Sequence, residues 1–188
     1  MRFNGFFGEQ NFYAKIFLAD GGKMLIQNML GWAWRTFGEW LTRNEKRVDY
    51  LIERAMETPY FNLDGYMNRW WLLKPSSFLP FSIRIHHILR RDNDRAPHNH
   101  PWAFRTIILH GWYDECLTQA DGSESVTRML PGMTQARSTS DYHRITEVSE
   151  GGVWTLFIMR RKSGEWGFAS KGGFVHWTEY HGECSDGN

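Results

Sequence analysis

What this chain has little of narrows the field first. Two cysteines among 188 residues, Cys116 and Cys184, do not build a disulfide framework. A reducing compartment, the cytoplasm, is the expected setting. No apolar run is clean enough to span a bilayer, because the longest, Met24 to Leu41, carries Gln27, Asn28, Arg35 and Glu39. Net charge is nearly absent: 22 Lys and Arg against 21 Asp and Glu leave +1. No global field draws such a chain to nucleic acid, and none is expected as a partner. Met1-Arg2-Phe3-Asn4-Gly5 lacks the basic-then-apolar order of a secretory leader. There is no glycine-rich phosphate loop, no Gly-x-Ser-x-Gly elbow and no cysteine cluster.

What is present is a folding chain rich in rings. Hydrophobic residues make up 41%, and aromatics reach 16% with ten Trp, which calls for an aromatic core, cavity or interface. The length suits one domain with a helical appendage. The pattern changes near residue 75. Residues 1–22, with Phe3, Phe6, Phe7, Phe12, Tyr13 and Phe17, read as an arm on its own domain or on a neighbouring subunit, the former favoured. Residues 23–43 repeat apolar side chains at three- and four-residue steps, predicting an amphipathic helix packed on the rest of the fold. Residues 45–57 predict a second helix, with Val48, Leu51, Ile52, Ala55 and Met56 on one face, covering the sheet that follows.

From Arg69 the alternation has period two. Phe81, Ile83, Ile85, His87 and Leu89 fall on one face, and Ser82, Arg84, His86 and Ile88 on the other. Further strands are predicted at 102–110, 112–118, 124–130, 143–148, 153–161, 165–169 and 173–177. Asp121-Gly122, Pro131-Gly132, Gly151-Gly152 and Ser163-Gly164 mark turns between them. Seven or eight short strands at this spacing mean a sandwich or barrel. The expected boundary sets an arm and helices, 1–68, before a barrel domain, 69–188.

Six of the eight histidines fall between residues 86 and 143. In Pro97-His98-Asn99-His100-Pro101-Trp102 two imidazoles stand at i and i+2, on one side of an extended chain, where they can chelate a first-row metal. His143, at the head of a later strand, is the natural third ligand. Arg84 shares a face with His86; turned inward it binds a substrate carboxylate or phosphate, the alternative being a paired structural arginine. Tyr113 is a candidate proton donor or ligand-orienting group, the alternative being a core aromatic.

These residues resemble the cupin family. In its first motif His98 and His100 fit and Gly111 closes the run, while Asp92 stands in the Gly position and Phe104 in the Glu position. In the second, Gly132 and His143 fit, while Ser138, Ser140 and Glu147 replace Pro, Gly and Asn. The chain also resembles a group of small cupin-like proteins of bacteria and their phages. That likeness rests on Arg69-Trp70-Trp71-Leu72, His86, Leu89 to Ala96, His98-Asn99-His100-Pro101-Trp102, Gly111 to Glu115, and Gly173-Phe174-Val175-His176-Trp177. The resemblance implies a mainly β fold, a cupin-type β-barrel or jelly roll, behind an N-terminal helical segment. It implies a divalent ion on His98, His100 and His143, Fe(II) by preference, with Zn, Mn or Ni open. Phe104 cannot supply the usual carboxylate, so either three histidines suffice or another group joins. His86 is the first candidate, His110 and Glu115 lesser ones. The expected activity is a metal-dependent, dioxygenase-like reaction on a small molecule. The alternative is a non-catalytic module that binds a ligand or serves in an assembly, such as a homo-oligomer, with metal structural or absent.

Overall fold

A computed structural model of the chain describes residues 9–92, 96–170 and 173–180, with side chains from residue 26 onward. Two helices come first, α1 (Glu9–Thr42) and α2 (Glu45–Met56). Ten strands follow: β1 (Met67–Leu73), β2 (Phe81–Ile88), β3 (Phe104–His110), β4 (Tyr113–Thr118), β5 (Glu124–Met129), β6 (Thr134–Arg137), β7 (Tyr142–Val148), β8 (Val153–Arg160), β9 (Gly167–Ser170) and β10 (Gly173–His176). Contacts divide the chain into two compact units, Met1–Phe37 and Gly38–Asn188.

In the first unit, helix begins at Glu9 rather than near Lys23, and runs through Gly21-Gly22. That glycine pair costs about 1 kcal/mol per residue against alanine, which is why periodicity alone stops there. Phe3, Phe6 and Phe7 lie outside the described residues. Ile26, Met29, Leu30 and Trp32, expected to pack inward, are all more than half exposed.

The second unit holds α2 and the strands. Asn44, in extended conformation, starts α2, and Val48 and Ala55 give it a buried face against β1 and β2. The strands form two antiparallel layers. One has the order β1-β2-β8-β3-β6. The other is assembled from β5-β4-β7 and the pair β9-β10, joined by a single extended residue, His98, which bridges both His143 and Phe168. This is a mainly β, double-sheet barrel with an N-terminal helix. The period-two pattern of β2 is realised as predicted: Ser82, Arg84, His86 and Ile88 are buried along one face.

Two apolar clusters fill the space between the layers. One joins Tyr66, Ile88, Ile108, Tyr113, Met129, Ile145 and Val153. The other joins Phe104, Phe157 and Met159, with Trp71 and Trp102 against it. Each such side chain contributes about 1.5–3 kcal/mol by leaving water. Gly111 makes the turn from β3 to β4 at φ +72°, and a Cβ there would stand 2.5 Å from the Gly152 carbonyl oxygen. Only glycine suits both the left-handed backbone and the space.

Candidate metal centre

The bridge through His98 builds the site. The His98 amide donates to the His143 carbonyl at 2.9 Å, and the His143 amide returns the bond at 3.0 Å. On the other side Ala169 donates to Pro97 at 2.8 Å and Asn99 to Gly167 at 3.1 Å. Held between two neighbours, residues 97–99 are as straight as a strand, and His98 and His100 reach the same side. One ring nitrogen from each of His98, His100 and His143 lies within 4.8 Å of the others. The Nε2 atoms of His100 and His143 are 3.0 Å apart. His98 and His143 are buried.

Behind His143 stands Glu115, only 2% exposed. Its Oε1 accepts from Nδ1 of His143 at 2.5 Å, and its Oε2 accepts from Arg137 at 2.6 Å. Burial alone would raise the carboxyl pKa. The hydrogen bond and charge of His143, joined by those of Arg137, outweigh it and hold the pKa below the usual carboxylate value. Glu115 accepts from Nδ1 of His143, which leaves Nε2 as the ring nitrogen facing the cluster. The pKa of His100 is held well below the ordinary imidazole value, first by burial and then by the nearby charges of His143, His98 and His86. At neutral pH it is the neutral, ligating form.

Rings close the remaining sides. Phe104 meets the His100 ring edge-on at 4.7 Å and stacks on Phe157 at 4.6 Å, while Trp102 lies 6.3 Å from His100. Phe104 thus puts an apolar wall, not a carboxylate, beside His100. His86 stands outside the three-histidine group, its ring stacked on the far partner, Phe157, at 4.6 Å. His110 faces Asp49 at 3.5 Å, both well exposed. Tyr113 belongs to the first apolar cluster, and burial, then the charge of Glu115, push its hydroxyl pKa well up. Arg84 lies next to His86 on the inner face, against Tyr60 and Trp71.

Three supporting residues escaped the sequence reading. Asn99, between the two histidines, accepts from Gly167 and donates to Thr139, both at 2.9 Å. Asp92 accepts from the Ile145 amide at 2.8 Å and so ties the preceding loop to β7. Arg137 holds Glu115. Only the Asn in His-x-His was a signal, and Asn there reads as a loop residue.

The donor set fits a borderline divalent ion: three imidazoles, one backed by a carboxylate, in an aromatic setting.

No family model matches this sequence, and no curated protein does. Solved structures with partial likeness include a cupin-2 domain from Rhodospirillum rubrum, 11% identical, covering 61% of this chain and 75% of that one at TM-score 0.44. An oxalate decarboxylase of B. subtilis is 14% identical over 66% of this chain at TM-score 0.48. Hydroxypropylphosphonic acid epoxidase from S. wedmorenis is 14% identical over 56% of each chain at TM-score 0.45. This chain spans about a third of the decarboxylase, at 32%. Those activities are stated of those proteins. For this chain, fold and site define a class, a double-sheet β-barrel with an interior three-histidine group.

Proposed function

We propose that the chain is a metal-binding cupin in which His98, His100 and His143 hold a divalent ion, Fe(II) by preference, and that it acts as an Fe(II)-type oxygenase on a small molecule. The observation that carries the reading is Glu115 on Nδ1 of His143, the carboxylate–histidine pairing that orients a ligating imidazole and raises its basicity. When bound, such an ion supplies Lewis acidity and open positions for O2 or substrate. The chain's own residues do the rest. Glu115 and Arg137 fix the tautomer of His143, and Phe104, Phe157 and Trp102 exclude water from one side. In this reading Arg84 lines a cavity on the far side of Trp102, His86 packs on Phe157 between that arginine and the three histidines, and Tyr113, in the apolar core, takes no chemical step.

A second reading is favoured by Ile26, Met29, Leu30 and Trp32, which stay exposed on α1. These suit a non-catalytic module in an assembly, a homo-oligomer included, with the metal structural or absent. Metal content decides first. Protein purified without added metal is expected to carry near-stoichiometric Fe, Mn, Ni or Zn by plasma mass spectrometry, and the His98→Ala/His100→Ala variant to carry none. Failure of both proteins to take up Fe(II) or Zn(II) anaerobically overturns the metal reading.

A further inference from the structure

A cavity of about 280 Å³ opens beside β2 and β8, at a distance from the three imidazoles that Trp102 spans. Its floor is Arg84, its walls include Trp71 and Trp102, and Arg160, Arg161 and Lys162 stand around it. Among the described residues that line it there is no carboxylate. Arg161 has a structural use, since it donates to the Ser77 carbonyl at 2.6 Å and holds the loop before β2. Arg160 and Lys162 are exposed.

Arg84 is different. It is 6% exposed, and among the described residues it forms no ion pair. Its guanidinium carbon lies 4.1 Å from the Tyr60 ring and 4.2 Å from the Trp71 ring, in the corner those two rings make at 65°. Its Nε has no hydrogen-bond partner, and neither has the buried Nε1 of Trp102, whose ring is 5.8 Å away. Burial lowers the arginine pKa to about 10, the charge of Tyr60 and a side-chain hydrogen bond to it oppose the shift and Arg69 adds to it, so the group stays charged at neutral pH. Ring faces offset part of the cost of burying a cation, but they accept no N–H bonds in the plane of the guanidinium. A buried charge that has one phenol and no carboxylate to answer it, with its Nε and a neighbouring indole N–H unpartnered beside an open cavity, is a site short of an anionic acceptor.

We propose that this cavity binds a small oxyanion carried on a flat, apolar body, an aromatic or unsaturated carboxylic acid or phosphate ester, with Arg84 and Trp102 donating to the oxyanion and Trp71 flanking the body. The charged donors are all N–H groups, the walls include the rings of Trp71, Phe81 and Trp102, and the volume suits a compact ligand. Arg84 acts here as a binding residue. The inference does not depend on the metal, although Trp102 forms a wall common to both sites and makes the anion a fitting substrate for the oxygenase reading.

The test is titration calorimetry of full-length protein with benzoate, phenyl phosphate, inorganic phosphate and the neutral control benzamide. Benzoate or phenyl phosphate is expected to bind at least tenfold more tightly than benzamide, and whichever of the two is tighter identifies the oxyanion. Binding of inorganic phosphate as tight as that of phenyl phosphate overturns the role of the apolar body. Arg84→Met is expected to weaken the anion at least tenfold while leaving metal content unchanged, and to keep or raise the Tm of ligand-free protein, since it removes an uncompensated buried charge. Trp102→Phe, which deletes only the N–H and some ring area, is expected to weaken it several-fold and stands in if Arg84→Met does not fold. His98→Ala/His100→Ala is expected to lose metal and keep the anion, so the two readings fail separately. Equal affinity for benzoate, phenyl phosphate and benzamide, or anion binding unchanged in both Arg84→Met and Trp102→Phe, overturns the proposal.

Discussion

A carboxylate hydrogen-bonded to a ligating imidazole sets its tautomer and its basicity, and removing one typically lowers metal affinity 10–100-fold. Glu115→Gln is therefore expected to weaken the ion by about 10–100-fold, read by competition with a chelator, with the fold intact by circular dichroism. An unchanged affinity would make Glu115 a purely structural partner of Arg137. His86 carries a second residue-scale prediction. Its pKa is held well below the usual imidazole value, by burial first and by the positive charges of Arg84 and Arg69 after it. Below the unfolded value of about 6.5 the unfolded chain takes up a proton that folded His86 refuses, so stability falls as pH falls, by at most about 1.4 kcal/mol per pH unit. The Tm of metal-free protein should drop between pH 7 and pH 5.5, and His86→Gln should flatten part of that drop. An identical slope in the variant would assign the loss elsewhere. Neither role was legible from residue types. Glu115 looks like any alternating position of a strand until β7 is laid beside it, and the resemblance offered it only as a lesser ligand.

At the scale of elements, periodicity carried most of the information. The alternation of β2 and the turn glycines located nearly every strand to within two residues, because a half-buried strand must alternate. β6 was missed: Thr134-Gln135-Ala136-Arg137 has no apolar alternation and owes its conformation to pairing with β3. The start of α1 was missed for the opposite reason, a helix continuing through residues that disfavour it. A narrow fit between elements is at Gly167, where a Cβ would stand 2.3 Å from the Val175 carbonyl oxygen and 2.4 Å from the Phe174 ring. Its amide also donates to Asn99. Gly167→Ala should cost about 1–3 kcal/mol through overpacking, measured by urea unfolding. It should also loosen the His98–His100 segment enough to weaken metal binding. Full stability in Gly167→Ala would mean that β10 shifts freely.

For the molecule as a whole, an ion that binds only the folded barrel adds stability by mass action, about 2.7 kcal/mol at a hundredfold excess over Kd. For a chain of this length that is a rise of about 5–10 °C in Tm, reversed by chelator and absent from His98→Ala/His100→Ala. A rise of the same size in the variant would place the ion elsewhere. The joint at His98 has one more consequence. Among the described residues, one layer of the barrel is continuous only through that residue, which pairs with β7 on one side and β9 on the other. Opening this seam would separate the imidazoles and split the layer in the same event. Amide exchange at His98 and His143 therefore works as a clock for ion release. The slowest step in losing the metal should be the fraying of two backbone hydrogen bonds, with a rate set by the sheet rather than by the ion.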